Sequence, residues 1–223
     1  IAAGILATSR NVGMVLGVGM AGAIFTTILA QTSPVAGQNL YQAALKGRET
    51  GKQDQEGRDT CFGCIIRCKR VVEIKEGPYQ VDPLYGGPEY ETVATFGSYC
   101  GVDDLPATCK ANEICNKLGM DTISCGATIA WAMEAFEAGV ITAKDTGGLD
   151  LRFGNAAAMV EMIELIARKK GFGKVLAEGS VRAARVIGKG AEELAMQVKG
   201  QEIPMHEPRW KNGLGLGYAM SST

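Results

Sequence analysis

Three closely spaced cysteines are the residues of this chain whose types and spacing most directly indicate chemistry. Cys61, Cys64 and Cys68 form a Cys-x2-Cys-x3-Cys pattern. Two intervening residues let the chain turn back, and three more bring the last sulfur to the same side one helical turn later. Thiolates favour iron–sulfur clusters, zinc or Cu(I). The pattern therefore predicts an iron–sulfur cluster, with half of a zinc site or three buried cysteines without metal as the alternatives.

The overall composition limits the classes of function that fit this chain. Its formal charge is −1, so no general attraction to nucleic acid or anionic lipid is expected. Seven cysteines without a cleavable signal peptide predict a reducing, cytoplasmic compartment and metal ligation in place of a disulfide framework. The chain begins with Ile1 and stops at Thr223 without a terminating pattern, and we expect a fragment of a longer protein.

The first 46 residues are unusually apolar. Residues 12–30 are almost entirely apolar or small, which predicts either a membrane-spanning helix or a buried glycine-rich core segment. Residues 9–18 resemble part of a late helix of drug-exporting major facilitator transporters. Residues 1–46 are therefore predicted to be a transmembrane or foreign segment, and a membrane partner is expected only if 12–30 is native. The polar, charged residues 47–58 are typical of a linker.

Helical signals dominate the remainder of the chain, which predicts a mainly α fold. Asp103 or Asp104 can cap a helix that ends at Leu118, and Gly119 can stop it. Further elements are predicted as helices at 122–138, 155–170 and 173–187, extended chain at 196–204 and a short strand at 71–74.

Several motifs follow one another in a fixed order. After the cysteine motif come Gly87-Pro88-Glu89-Tyr90-Glu91-Thr92, Gly101-Val102-Asp103-Asp104, residues 116–124, residues 202–209 and Gly213-Leu214-Gly215-Leu216-Gly217-Tyr218-Ala219. In this order they resemble the tungsten-containing aldehyde:ferredoxin oxidoreductases. The resemblance covers residues 58–223, and it implies the helical middle and C-terminal domains of that family, preceded here by the apolar segment.

The resemblance implies two cofactors. A mononuclear tungsten, or molybdenum, would be held by the dithiolenes of two pterins, and a nearby [4Fe–4S] cluster would carry electrons to ferredoxin. Cys61, Cys64 and Cys68 would supply three of the four cluster ligands, and the fourth is expected beyond residue 223. A β-rich domain that helps to enclose the pterins is expected before the cysteine motif.

Residues 116–121 match a pterin-binding motif of the form Asp-x-x-Gly-Leu-Asp. Asn116 stands in place of its first Asp and Met120 in place of its Leu, whereas Gly119 and Asp121 agree with the motif. Pterins present ring N–H donors, which suit a carboxylate acceptor. Glycine permits the close backbone approach that a flat cofactor needs.

Glu91 and His206 are the predicted catalytic residues. Glu91 matches the family's active-site glutamate, and His206 falls where some members carry a tyrosine near the substrate. A base that assists water or accepts a proton suits Glu91, and His206 could polarise a carbonyl or shuttle a proton. From the residues alone, the alternatives are a solvated glutamate and a turn histidine. Cys125 stands at a predicted helix start, where a thiol pKa falls, and is either a thiolate near the metal or a core residue.

Together these features predict part of an oxidoreductase, from an anaerobic organism, that oxidises aldehydes to carboxylic acids. Ferredoxin is the expected electron partner, a small aldehyde is the expected substrate, and a homo-oligomer is compatible with the sequence. The alternatives are a reductive relative such as the tungsten subunit of an aromatic acyl-CoA reductase, a fused membrane-transport fragment and a zinc-binding structural module. The chain alone is expected to be inactive.

Overall fold

The computed structural model describes residues 58–59, 65, 69–206, 208 and 211–221. They belong to two compact units, one ending at Pro204 and the other containing Met205 and the described residues after it. The described part is mainly helical, as predicted. None of its helices is long and apolar enough to cross a membrane. The apolar helix predicted at 12–30 lies outside the described residues.

The described part of the first unit consists of helices and two pairs of very short antiparallel strands. In chain order its elements are β1 (Arg58–Asp59), β2 (Lys69–Arg70), a 3-10 helix (Pro83–Tyr85), α1 (Tyr90–Val93), a π-helix (Ala94–Tyr99), α2 (Leu105–Leu118), α3 (Thr122–Glu137), α4 (Ala156–Ala167), α5 (Gly173–Leu176), α6 (Ser180–Ile187), a second 3-10 helix (Ala191–Leu194), β3 (Gln197–Val198) and β4 (Gln201–Glu202). The second unit contains α7 (Asn212–Met220).

The boundaries of α2, α3 and α4 follow from their capping residues. The carboxylate of Asp104 accepts a hydrogen bond from the Ala107 amide, which fixes the start of α2. Gly119 ends that helix in the left-handed conformation that glycine adopts at little cost. Asn155 caps α4 in the same way as Asp104 caps α2. The predicted start and end of α2 and the predicted start of α4 are confirmed, whereas α4 ends at Ala167, before the end predicted at 170.

The core is centred on α4, which packs along α2 and α5. Met159, Met162 and Ile163 are fully buried, and their spacing places them on one face of the helix. Burial of each such side chain contributes about 1.5–3 kcal/mol. Trp131 of α3 is also buried, and its indole N–H donates to the Ala191 carbonyl, so the one polar atom of this side chain is satisfied.

The single helix predicted at 173–187 is wrong, because α5 and α6 are separate. Gly179 interrupts it with φ 86° and ψ 166°, outside the helical region. The start of α6 is capped from elsewhere: Glu202 Oε1 accepts from the amide and the hydroxyl of Ser180, each at 2.7 Å. This carboxylate therefore attaches β4 to the start of α6.

The prediction of extended chain at 196–204 is confirmed in part, because this segment contains β3 and β4, which pair antiparallel. Lys199 and Gly200 form the turn with φ values of 52° and 90°. The strand predicted at 71–74 is wrong, because only Ile74 makes a bridge, to Val81. Residues 71–73 pair with no strand among the residues that the structure describes.

Candidate functional site

The segment that carries the three predicted cluster ligands is closed at its base by a short ladder. β1 and β2 pair antiparallel, with Arg58 opposite Arg70 and Asp59 opposite Lys69. This pairing holds the chain entering the segment beside the chain leaving it. Cys61, Cys64 and Cys68 themselves lie outside the described residues. Within the part of the chain that the structure describes, no group of three or more His, Cys, Asp or Glu residues could hold a metal ion.

The strand that leaves the cysteine segment contacts the loop leading to Glu91. The Gly87 amide donates to the Arg70 carbonyl at 2.7 Å. A Cβ on Gly87 would lie 2.7 Å from Cγ2 of Val72, a distance that no side chain could occupy without displacement. Glycine at this position therefore lets the Glu91 loop pack closely on the chain that follows the predicted cluster ligands.

Polar side chains of α2 hold the first part of the same loop. Glu113 is buried, and its carboxylate accepts from the Asp82 amide at 3.1 Å and from Lys110 at 2.9 Å. Lys110 also donates to the Gln80 carbonyl at 2.8 Å. A buried carboxylate is costly unless it is paired and hydrogen-bonded, and both conditions are met here. The loop therefore has a fixed place on α2.

The predicted cofactor motif spans the last residues of α2 and the connection to α3. The Asn116 side chain donates to the Tyr85 carbonyl at 3.0 Å, which ties the motif to the loop described above. Gly119 is exposed, and no heavy atom lies within 4 Å of the place a Cβ would take. Met120 is partly buried against the core. Asp121 is exposed and caps α3, since its Oδ2 accepts from the Ser124 amide at 2.6 Å.

Glu91 lies in the first turn of α1 and is partly buried. The next residue, Thr92, is buried, and its hydroxyl is 2.9 Å from the hydroxyl of Thr122, which directly follows Asp121. The structure therefore brings the predicted base and the predicted cofactor motif into neighbouring segments. Burial, and then the charge of Glu91, raise the pKa of Tyr90. The contact between these threonines was not predicted, because no local pattern in the sequence distinguishes a threonine whose hydroxyl connects two helices.

Four described cysteines are buried thiols: Cys100, Cys109, Cys115 and Cys125. A hydrogen bond with Cys115, followed by burial, raises the pKa of Cys125. The expectation that the helix start would lower this pKa is therefore wrong, because the thiol points into the core and has other sulfurs beside it. Cys125 behaves as a core residue.

His206 belongs to the second unit, and its ring has a charged neighbour there. Lys211 Nζ is 2.8 Å from His206 Nδ1. An ammonium group can only donate, so the contact is a hydrogen bond when Nδ1 accepts. Glu91 and the cofactor motif lie in the first unit.

Known proteins match most of this chain. Residues 24–223 match the family model for aldehyde ferredoxin oxidoreductase, domains 2 & 3. A tungsten-containing aldehyde ferredoxin oxidoreductase from Pyrococcus furiosus is 42% identical over 166 residues, which cover 73% of this chain and 26% of the relative. This chain belongs to the aldehyde ferredoxin oxidoreductase family. It spans about a quarter of the length of that relative.

The names of two other similar proteins state other substrates. The WOR-like subunit of an aliphatic sulfonate oxidoreductase from Pyrococcus furiosus is 32% identical over 149 residues, covering 65% of this chain and 24% of that subunit. The active-site complex BamBC of benzoyl coenzyme A reductase, solved with 1,5-dienoyl-CoA, has a TM-score of 0.58 at 23% identity. That match covers 71% of this chain and 23% of the solved chain, and it shows a shared fold.

The resemblance of the apolar segment to a transporter helix is not borne out. The family match begins at residue 24, inside the segment that was predicted to be foreign. The boundaries predicted at 46 and 58 remain predictions.

Proposed function

We propose that this chain is the iron–sulfur and pterin-binding part of a tungsten oxidoreductase that oxidises aldehydes to carboxylic acids. The observation that carries the proposal is the link between Thr92 and Thr122, which sets Glu91 beside the motif ending at Asp121. The 42% identity to a tungsten-containing aldehyde ferredoxin oxidoreductase supports the same reaction class.

The residues of the motif fit a pterin. Asp121 is exposed, and only Oδ2 is used for the helix cap, so Oδ1 can accept from a ring N–H. The open space at Gly119 admits a flat ring close to the backbone. Asn116 and Met120 would complete the cofactor-binding segment. Asn116 already donates to Tyr85, so its amide oxygen is the atom that would face the cofactor.

Oxidation of an aldehyde with water to the acid releases two electrons and two protons. When bound, a tungsten bis-pterin would supply a two-electron acceptor, and a [4Fe–4S] cluster would supply one-electron transfer towards ferredoxin. Glu91 accepts a proton from water or from the hydrated aldehyde. The role of His206 as a donor to the carbonyl oxygen stays a prediction. Partial burial of Glu91 limits the water that competes for its carboxylate.

Cys61, Cys64 and Cys68 are proposed as three ligands of the cluster. Support comes from the β1–β2 ladder, which holds the two ends of their segment together and so favours convergence of the sulfurs. The contact of Gly87 with Arg70 then connects this segment to the loop that carries Glu91.

A reductive reaction on an aromatic acyl-CoA is the second candidate. The fold shared with the BamBC complex is the observation in its favour. Its identity of 23% is well below the 42% found for the aldehyde enzyme, so aldehyde oxidation is the preferred proposal.

The proposal is tested with the protein purified anaerobically together with any further domains that its gene encodes. The assay is aldehyde-dependent reduction of ferredoxin or of a low-potential viologen dye. Glu91→Gln should lower kcat by about 10²–10⁴-fold, the usual contribution of a general base. Glu89→Gln is the matched control, since Glu89 is exposed in the same loop and makes no side-chain cap, and it should leave kcat unchanged.

Two results would count against aldehyde oxidation. An equal kcat for Glu91→Gln and the parent would remove Glu91 from the reaction. Reduction of an aromatic acyl-CoA, with no activity on any aldehyde, would favour the second candidate.

A further inference from the structure

We infer that Thr92 and Thr95 are positioning residues that hold Glu91 in register with the cofactor motif at 119–121. The inference rests on the proposed catalytic role of Glu91. Both threonines are buried, with exposed fractions of 2% and 0%, so neither hydroxyl can form a hydrogen bond with bulk water. A buried hydroxyl needs a protein partner, and each of these finds one on α3.

Thr95 contacts the backbone of both segments. Its Oγ1 lies 3.0 Å from the Glu91 carbonyl oxygen and 3.2 Å from the Thr122 carbonyl oxygen. The Thr92 carbonyl oxygen is a third acceptor, at 3.3 Å. A single hydroxyl oxygen therefore lies within hydrogen-bond distance both of the residue proposed as base and of the residue after Asp121. Thr92 adds a second connection through its hydroxyl contact with Thr122.

The backbone on both sides of the contact between Thr95 and α3 allows a close approach. Glu91 is followed within one turn by a π-helix, Ala94–Tyr99, a rare element that is frequently found at functional sites. On the facing helix, a Cβ on Gly126 would lie 2.6 Å from the Cβ of Thr95. Only glycine at 126 allows the approach that brings the Thr95 hydroxyl to the Thr122 carbonyl.

A small displacement of Glu91 should be costly for the reaction. A misplacement of about 1 Å can reduce a rate by about 10²-fold, because reacting groups must meet at near-contact distance. Loss of the Thr95 hydroxyl leaves the shape of the core almost unchanged but removes the shared contact. The expected effect is therefore on kcat and not on substrate affinity.

The test compares Thr95→Val with Thr95→Ser and with Thr108→Val. Thr108 is the matched control, since it is fully buried and its hydroxyl bonds the Asp104 carbonyl at 3.1 Å in α2, with no contact to Glu91. Thr95→Val should lower kcat about 10–100-fold with KM and tungsten content unchanged, and Thr95→Ser should restore most of it. Thr108→Val should leave kcat near the parent value.

Hydrogen exchange followed by mass spectrometry gives a readout that does not need activity. Thr95→Val should increase exchange in residues 90–99 and in residues 119–126 together, whereas Thr108→Val should not. Equal kcat values for the two valine variants, or unchanged exchange in either segment, would overturn the inference. If the parent oxidises no aldehyde, the proposed function fails, and the exchange result alone then decides whether Thr95 couples the segments.

Discussion

Asp121 is expected to have two separable roles, as the cap of α3 and as an acceptor for the cofactor. Its Oδ2 accepts from the Ser124 amide at 2.6 Å while the side chain remains exposed. Asp121→Ala removes both roles. Asp121→Asn keeps an oxygen that can cap the helix but removes the charge that we propose binds a ring N–H.

The expected stability changes follow from the cap. Loss of an N-cap side chain costs about 1 kcal/mol, with a range of about 0.5–2. Loss of the negative charge alone at the helix start costs about 0.3–1 kcal/mol, because the helix dipole favours an anion there. About 1 kcal/mol corresponds to a decrease in Tm of about 2–4 °C for a domain of this size.

Asn155→Ala provides the matched control, since Asn155 caps α4 through a 3.1 Å bond to the Ala158 amide and is not a proposed cofactor residue. Denaturant unfolding, tungsten analysis and pterin analysis would be run on all variants. We expect Asn155→Ala and Asp121→Ala to lose similar stability, but only the two Asp121 variants to lose cofactor. Parental tungsten and pterin contents in Asp121→Asn would refute the cofactor role and leave Asp121 as a helix cap.

Two further predictions concern packing and pH. Gly126→Ala should lower the free energy of unfolding by about 1–3 kcal/mol in denaturant, since the new Cβ would overlap the side chain of buried Thr95. Gly97→Ala is the control: its Cβ would lie 3.5 Å from the Val102 carbonyl oxygen, an ordinary contact, and the substitution should cost much less in the same assay. A smaller loss for Gly126→Ala than for Gly97→Ala would contradict the packing. Burial, and then Asp104, raise the pKa of Cys109 to about 12 from an ordinary value near 9.0. Between these values the folded protein binds more protons than the unfolded chain, so the free energy of unfolding should fall as the pH rises above about 9. Cys109→Ala should reduce that slope in unfolding measured at about pH 8 and about pH 10, and an unchanged slope would refute the assignment.

Capping residues explain which parts of the fold could be predicted from the sequence. Asp104, Gly119 and Asn155 cap helices through bonds to residues nearby in the chain. Their residue types therefore predict where these helices begin or end. Gly179 lies between good helix formers, and a single glycine is often tolerated inside a helix. The break there depends on Glu202, which is distant in sequence and caps α6 from another element. Such a contact leaves no local signal.

In the candidate site too, local motifs could be predicted from the sequence, whereas contacts between distant segments could not. The motifs identified residues 116–121 and Glu91 individually, but their proximity depends on the hydroxyl contact between Thr92 and Thr122. That contact joins two helices, and a buried threonine has the same local appearance wherever it lies. For Cys125 the sequence left a thiolate and a core residue as alternatives, since a position at a helix start does not reveal which face the thiol occupies, and the thiol is buried.

Metal and sulfide analysis of the anaerobically purified protein, with and without Cys61→Ser, tests the central claim most directly. The parent, with any further domains its gene encodes, should contain tungsten, about four iron atoms and matching sulfide per chain. Cys61→Ser should lose most of the iron and sulfide and the brown colour of the cluster. Zinc in place of iron, or iron and sulfide in Cys61→Ser equal to those of the parent, would contradict the account.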